Sequence, residues 1–226
     1  MNCSRPLPAH APAHYALGHH LSLSGNEDEA KLVFGEMLKA APNPEAAFAE
    51  LHEQDECDEE QYPQLETLLL AFPKELSTSK SGLLLLAEAQ EGQEKISAAI
   101  KTLQRVITLK AEADDYSYLA QLLRKARRFA ETVTAATQAI KLSENEGSTA
   151  MAYFERACAR SQLGLKKAAL ADLEQVLKTD AIYVFEGEDA DLKPLAALPE
   201  FKALVEKAEK LYEEKFGGRV KSIPVK

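Results

Sequence analysis

The sequence predicts an all-α protein built from about five stacked helical hairpins and a capping helix. Three observations predict this fold. A pattern of apolar and small residues returns about every 34 residues. Within each copy the apolar residues are spaced three and four apart, as on one face of a helix. Glycine falls between two such helices in the first and last copies. No single hairpin can bury its apolar face alone, so the stack is expected to share one core.

The first copy lies in the segment His14–Pro42. Its pattern residues are Leu17, Gly18, Leu21, Gly25, Ala30, Phe34 and Pro42. Gly25 is predicted in the turn between the two helices, where a residue without a Cβ atom fits best.

The later copies repeat this pattern with one degenerate member. Gly18, Ala87, Ala120 and Ala157 occupy the same place in four copies and are expected where paired helices cross closely. Gly164 is predicted in the turn of the fifth copy. The second copy lacks a turn glycine. There Pro63 follows Tyr62 at the expected start of a helix, and proline is tolerated in a first turn.

These positions resemble the tetratricopeptide repeat, whose pattern L-G-x2-Y, A-x3-F and P extends over about 34 residues. The resemblance implies a right-handed superhelical solenoid. Its repeats are predicted at residues 11–44, 45–79, 80–112, 113–149 and 150–182, and the ends 1–10 and 217–226 are expected to be flexible.

The segment 183–216 resembles the capping segment that closes many bacterial arrays of this kind. An array needs such a cap because its last repeat leaves an apolar face uncovered. The apolar stripe predicted to cover that face is Leu204, Val205, Ala208, Leu211 and Tyr212.

Composition argues against several classes of partner and compartment. A net charge of −9 disfavours binding to nucleic acid and to anionic lipid. The longest apolar run, Leu83–Ala87, is too short to cross a bilayer. Three cysteines, far apart and odd in number, favour a reducing compartment, and the first residues form no secretory signal. We therefore expect a cytoplasmic protein.

Histidines near the start raise the question of a metal site. His10, His14, His19 and His20 lie close together in sequence. Pro12 separates His10 from His14, and the residue before a proline avoids helix, so the pair is not expected on one helix face. No carboxylate or cysteine at suitable spacing completes a ligand set. We expect a histidine-containing helix surface without a bound metal. A metal-binding protein that uses these histidines remains an alternative.

Two further patterns have a chemical and a structural interpretation. The acidic run 55–60 lacks the glycine and Asp/Asn spacing of a calcium loop, so we expect a solvated turn. Cys158 lies between Arg156 and Arg160, and nearby cations can lower the pKa of a thiol. We nevertheless expect Cys158 to be a packed small residue.

The sequence carries no recognisable catalytic motif. It contains no nucleophile elbow, no phosphate-binding glycine loop and no HExxH pair. We therefore expect neither catalytic activity nor a cofactor.

The resemblance implies that the first helices of the repeats line a concave groove that holds a peptide. The residues at the corresponding positions are Tyr15, His19, Glu53, Leu84, Glu88, Glu91, Gln121, Arg124 and Phe154. The glutamates are expected to select basic side chains, and Tyr15 and Phe154 to act as apolar anchors.

The best-known member of the family binds the C-terminal carboxylate of an EEVD-type chaperone tail through cationic and asparagine side chains. At the corresponding positions this chain has Tyr15 and His19, or in another frame Leu84 and Glu88. Because acidic side chains repel a terminal carboxylate, we expect no such tail to bind.

The predicted function is a non-catalytic scaffold or adaptor that binds a peptide or partner protein in the groove. The first alternative is a self-associating structural component of a larger complex.

Overall fold

The computed structural model describes residues 18, 24–54, 61–143, 146–179 and 189–216. This part of the chain forms helices, turns and no strand. The helices are α1 (Glu27–Ala40), α2 (Pro44–Gln54), α3 (Tyr62–Leu70), α4 (Pro73–Ser77), α5 (Lys80–Gly92), α6 (Ile96–Leu109), α7 (Ala113–Lys125), α8 (Phe129–Leu142), α9 (Glu146–Gln162), α10 (Lys166–Val176) and α11 (Pro199–Phe216), with a 3-10 helix at Ala190–Leu195 before α11. The predicted all-α repeat fold is confirmed. None of these helices is both long and apolar enough to cross a membrane.

The chain divides into two compact units, an N-terminal unit (Met1–Lys110) and a C-terminal unit (Ala111–Lys226). Within the C-terminal unit, α7 packs on α8, α9 packs on both, and α10 packs on α9. Ala120 and Ala157 are fully buried in their hairpins, as is Ala87 in the N-terminal unit. Small side chains at these places allow the backbones of paired helices to approach closely.

The capping segment covers the last hairpin of the C-terminal unit. Leu192 and Leu195 of the 3-10 helix are fully buried, and Phe201 of α11 joins them in one core cluster with α9 and α10. The stripe predicted for α11 faces this cluster: Leu204, Val205 and Ala208 are buried, and Leu211 and Tyr212 are half-buried against it. The cap therefore removes from water the apolar surface that the last hairpin would otherwise expose.

The N-terminal unit is organised around α5. This helix pairs with α6, and both α2 and α3 pack against it, while α1 packs against α2 and α3. As predicted, α3 begins at Tyr62 with Pro63 in its first turn. A Cβ atom added to Gly82 would lie 2.9 Å from the Phe48 ring, and one added to Gly92 would lie 2.1 Å from the Tyr62 ring. Glycine at these two positions of α5 is what allows the rings to pack on its backbone.

Four turns among the described residues share one left-handed backbone conformation. The backbone φ angle is positive at Gly25 (79°), Glu94 (61°), Arg127 (59°) and Gly164 (75°). In three of them the residue after the turn donates its N–H to a carbonyl five residues back: Lys95 to Gln90 at 2.8 Å, Arg128 to Leu123 at 2.9 Å and Leu165 to Arg160 at 2.8 Å. The glycine turns predicted at Gly25 and Gly164 are confirmed, and Glu94 and Arg127 hold the same conformation with a side chain.

We expect Glu94→Gly to raise the free energy of unfolding by a few tenths to about 1 kcal/mol, because glycine adopts positive φ without the steric cost of a Cβ atom. Gly164→Ala should lower it by about 1 kcal/mol for the same reason, since nothing lies within 4 Å of the added Cβ atom. Urea unfolding followed by circular dichroism measures both changes. The control is Glu94→Ala, which removes the carboxylate but keeps the strain. Equal stabilisation by alanine and glycine would show that the charge, not the turn, was responsible.

Candidate functional site

The structure places seven of the nine predicted groove residues on four first helices, and the other two lie outside the described residues. Tyr15 and His19 lie outside the described residues, and Glu53 lies in α2 with its side chain outside the description. The others are Leu84, Glu88 and Glu91 on α5, Gln121 and Arg124 on α7, and Phe154 on α9. A role in ligand binding stays a prediction for these residues, with the exception of Phe154.

On α5, three candidate side chains share one face. Leu84, Glu88 and Glu91 are spaced four and three residues apart, which brings them together on one side of a helix. All three are half-buried. Together they present an apolar side chain beside two carboxylates.

Glu88 has a partner that the sequence analysis missed. Its Oε1 atom lies 3.1 Å from Nε2 of His52, a residue of the preceding first helix α2. The two side chains are 41% and 35% exposed, so the pair is open to water. The only signal of this pair in the sequence was the repeat position of His52. It occupies the place in the second repeat that Ala87 occupies in the third.

Two other glutamates hold α5 at its ends. At the start, the Ser79 and Ser81 hydroxyls donate to Glu45 at 2.5 Å and 2.9 Å. At the end, Glu66 accepts hydrogen bonds from Gln90 (3.2 Å), Gln93 (3.0 Å) and Lys95 (2.5 Å). The helix that carries the candidate face is therefore fixed from both neighbours, α2 and α3.

These contacts hold the pKa of both carboxyl groups below its ordinary value of 4.5. Burial opposes ionisation in each case, but hydrogen bonds from Ser79 and Ser81 outweigh it at Glu45. Hydrogen bonds from Lys95, Gln90 and Gln93, together with the Lys95 charge, outweigh it at Glu66.

A carboxyl group whose pKa is lowered by folding stabilises the fold above its unfolded pKa, and this contribution is lost as the pH falls through the folded value. We therefore expect Glu66→Gln to lower the unfolding temperature at pH 7 by roughly 2–4 °C, and by much less at pH 3. Differential scanning calorimetry across this pH range tests the prediction. The exposed Glu36→Gln on α1 is the matched control. A deficit for Glu66→Gln that is as large at pH 3 as at pH 7 would contradict it.

The C-terminal unit contains a group of charged residues that we name the Arg124 cluster: Arg124, Arg127, Glu155, Asp189 and Asp191. Arg124 binds Glu155 through two nitrogens, with Nε–Oε2 at 2.6 Å and Nη2–Oε1 at 3.3 Å. Its Nη1 donates to Asp189 Oδ2 at 2.8 Å and Asp191 Oδ2 at 3.1 Å. Arg127 Nη1 donates to Asp191 Oδ1 at 2.5 Å. The cluster thus joins α7 and α9 to the capping segment.

Burial decides the direction of the pKa shift at Glu155 but not at Arg124. Burial raises the pKa of Glu155, and the charges of Asp189 and Asp191 add to this effect while Arg124 opposes it. The pKa of the Arg124 guanidinium is raised despite burial, because Glu155 accepts its hydrogen bonds and attracts its charge. Arg124 therefore stays positively charged and is surrounded by the carboxylates of Glu155, Asp189 and Asp191.

Phe154 does not present its ring to the surface. Its relative exposure is 3%, and it belongs to the core cluster of α9, α10 and the capping segment. The Arg124 guanidinium carbon lies 5.9 Å from the ring centroid. The prediction that Phe154 is an accessible apolar anchor is therefore wrong: the capping segment, together with α10, encloses the ring in the core.

Cys158 is fully buried, as the structural interpretation predicted. Both neighbouring arginines point elsewhere: Arg156 binds Asp172 at 2.8 Å and 3.0 Å, and Arg160 binds the same carboxylate at 2.6 Å. Burial raises the pKa of the Cys158 thiol, and the charge of Asp189 adds to this effect.

We expect the Cys158 thiol to react with a disulfide reagent roughly a hundredfold or more slowly in the folded chain than in denaturant, because the reactive thiolate is disfavoured and enclosed. The variant Cys3→Ser/Cys57→Ser isolates this thiol for a stopped-flow absorbance measurement. Comparable rates in buffer and in guanidinium chloride would contradict the prediction.

The other patterns considered for metal binding fall largely outside the description. His10, His14, His19, His20 and the acidic run 55–60 are not among the described residues. In the part of the chain that is described, no three His, Cys, Asp or Glu side chains are grouped so that they could hold a metal ion.

Comparison with known proteins agrees with this architecture. Residues 150–183 match the tetratricopeptide repeat family, which places the match on α9 and α10. The fold defines an all-α protein of stacked helical hairpins, in which α9 and α10 form a tetratricopeptide repeat.

Solved structures show the same fold at low sequence identity. A crystal structure of MamA aligns with a TM-score of 0.53 and 22% identity over 72% of this chain and 93% of that chain. A putative kinesin light chain of Podospora anserina, with nearly identical TPR-like repeats, aligns with a TM-score of 0.50 and 19% identity over 76% of this chain and 95% of that one. A comparison with curated protein sequences gives no significant match.

Proposed function

We propose that the chain is a non-catalytic scaffold that binds a peptide segment of a partner protein on the first helices of its N-terminal unit. The observation that carries the proposal is the face of α5 formed by Leu84, Glu88 and Glu91. This face combines an apolar contact with two carboxylates at helical spacing.

The way α5 is held supports this choice. Glu45 binds the start of the helix and Glu66 binds its end, so its exposed face keeps one orientation before a ligand arrives. A surface that is already ordered loses little conformational entropy on binding. Rigidity therefore favours α5 as a recognition helix.

The ligand that fits this face is a peptide with Lys or Arg next to an apolar side chain. Carboxylates attract such cations during encounter and repel acidic competitors, which gives specificity more than affinity. Glu53, on the neighbouring helix α2, is a further candidate contact.

The test is affinity capture from the source lysate followed by titration of the captured protein. We expect Glu88→Lys/Glu91→Lys to weaken binding of that protein at least about tenfold, because two attractive charges become repulsive. The matched control is Glu29→Lys/Glu36→Lys, which makes the same change in net charge at two exposed positions of α1.

Two results would contradict the proposal. Equal binding by the parent chain and the α5 variant would show that this face does not contact the ligand. Capture of further copies of the same chain, and of nothing else, would favour a self-associating structural component.

A further inference from the structure

The turn between α9 and α10 exposes different side chains from the other three left-handed turns. Leu163 and Leu165 flank Gly164 in this turn, and they are 44% and 51% exposed. In the other turns the two places beside the positive-φ residue hold polar or small residues: Ser24 and Asn26, Gln93 and Lys95, and Ala126 and Arg128. Of the four described turns, this one therefore holds two leucines in water.

Two lysines continue the same exposed surface. Lys166 and Lys167 begin α10 and are exposed, and neither forms an ion pair with any residue that the structure describes. They lie in the first turn of a helix, where the helix dipole disfavours a cation. The first turns of α1 and α7 carry acidic residues instead. We name Leu163, Leu165, Lys166 and Lys167 the leucine–lysine tip.

The neighbouring turn adds two arginines to this surface. Arg127 Nη2 donates to Gln162 Oε1 at 3.2 Å, which brings the turn between α7 and α8 beside the tip. The side chains of Arg127 and Arg128 are 62% and 41% exposed. Arg127 binds Asp191 and Arg128 binds Glu131, so the carboxylates in contact with these arginines are already compensated. The four cations of the two turns thus outnumber the carboxylates paired with them.

The four side chains of the tip contribute little to the stability of the fold. Exposed leucines gain no free energy from burial, and unpaired lysines at the start of a helix oppose its dipole. Such departures from local rules are expected where a surface serves a function. Apolar side chains next to cations match the boundary of a membrane, where lipid phosphates lie above acyl chains. A lipid layer also accepts a turn without offering it a complementary cavity.

We propose that the leucine–lysine tip is a docking site for an anionic membrane surface. Leu163 and Leu165 enter the layer beneath the headgroups, and Lys166 and Lys167 lie against the lipid phosphates. The leucines contribute apolar burial, and the lysines contribute electrostatic attraction. This site includes no residue of the α5 face and does not depend on the proposed function.

The acidic character of the chain as a whole does not oppose this contact. The net charge of −9 is summed over all 226 residues. An anionic surface acts on a charge only within roughly a Debye length, which is about 10 Å at an ionic strength of 0.1 M. The charges near the tip therefore decide the interaction, and among the described residues of the two turns these are mainly cations.

A single tryptophan reports whether the tip enters the lipid. The chain contains no tryptophan, so Leu165→Trp supplies one fluorescent side chain at the tip. We expect its emission to shift to shorter wavelength with vesicles of phosphatidylcholine and phosphatidylserine in a molar ratio of about 2:1. Vesicles of phosphatidylcholine alone should leave the emission unchanged. The matched variant Leu142→Trp, at a leucine that is 46% exposed at the far end of α8, should show no shift with either.

Vesicle sedimentation measures what the tip contributes to binding. We expect Leu163→Gln/Leu165→Asn and Lys166→Gln/Lys167→Gln each to weaken binding to the mixed vesicles at least about fivefold. Glutamine and asparagine are residues that other turns of this chain hold at the places of the two leucines. The binding of the parent chain should also fall as the salt concentration rises.

Two matched controls make the same chemical changes at exposed positions elsewhere. Leu109→Gln/Leu142→Gln replaces two exposed leucines at the ends of α6 and α8. Lys74→Gln/Lys101→Gln removes two exposed lysines from α4 and α6. Both controls should bind the mixed vesicles as the parent chain does.

Three results would overturn the proposal. The first is that the parent chain sediments with the mixed vesicles no more than with phosphatidylcholine alone. The second is a shift for Leu142→Trp as large as that for Leu165→Trp. The third is full vesicle binding by a tip variant whose circular dichroism shows a folded chain. The leucine and lysine variants test the tip separately, so a folding defect in one leaves the decision to the other. Partner capture on α5 involves no lipid, and its failure would not affect this result.

Discussion

The close crossing of two helices in each hairpin is the constraint on which the rest of the structure depends. Ala87, Ala120 and Ala157 are fully buried where paired helices meet, and larger side chains there would force the backbones apart. A left-handed turn closes each of these hairpins. Because the paired helices bury their apolar faces against one another, their outer sides stay available for charged residues.

These charged residues mainly hold helices and the capping segment in place. In the N-terminal unit, Glu45 and Glu66 fix the two ends of α5. In the C-terminal unit, Arg124 ties Glu155 to the capping segment. Arg124 and Glu155 form a buried ion pair. Removing one partner of such a pair costs about 3–5 kcal/mol, since the other charge is left without compensation.

The two units present different chemistry on comparable helices. The α5 face offers Leu84 beside Glu88 and Glu91, with His52 as a neighbour from α2. Arg124 of α7 and Arg127 of the following turn face the carboxylates of Asp189 and Asp191, and Phe154 of α9 is enclosed. The same repeat pattern therefore carries a helix face with two glutamates in the N-terminal unit and cations already paired with carboxylates in the C-terminal unit.

The sequence by itself determined the features that depend on local spacing: the repeat of about 34 residues, the turns at Gly25 and Gly164, the start of α3 beside Pro63, and the buried stripe of α11. Only the tertiary structure decided which polar groups meet. Arg124 with Asp191, His52 with Glu88, and the enclosure of Phe154 join residues from different helices. The physical reason is that apolar periodicity shows which face of a helix is buried. A long charged side chain finds its partner only once the separate helices have been brought together in space.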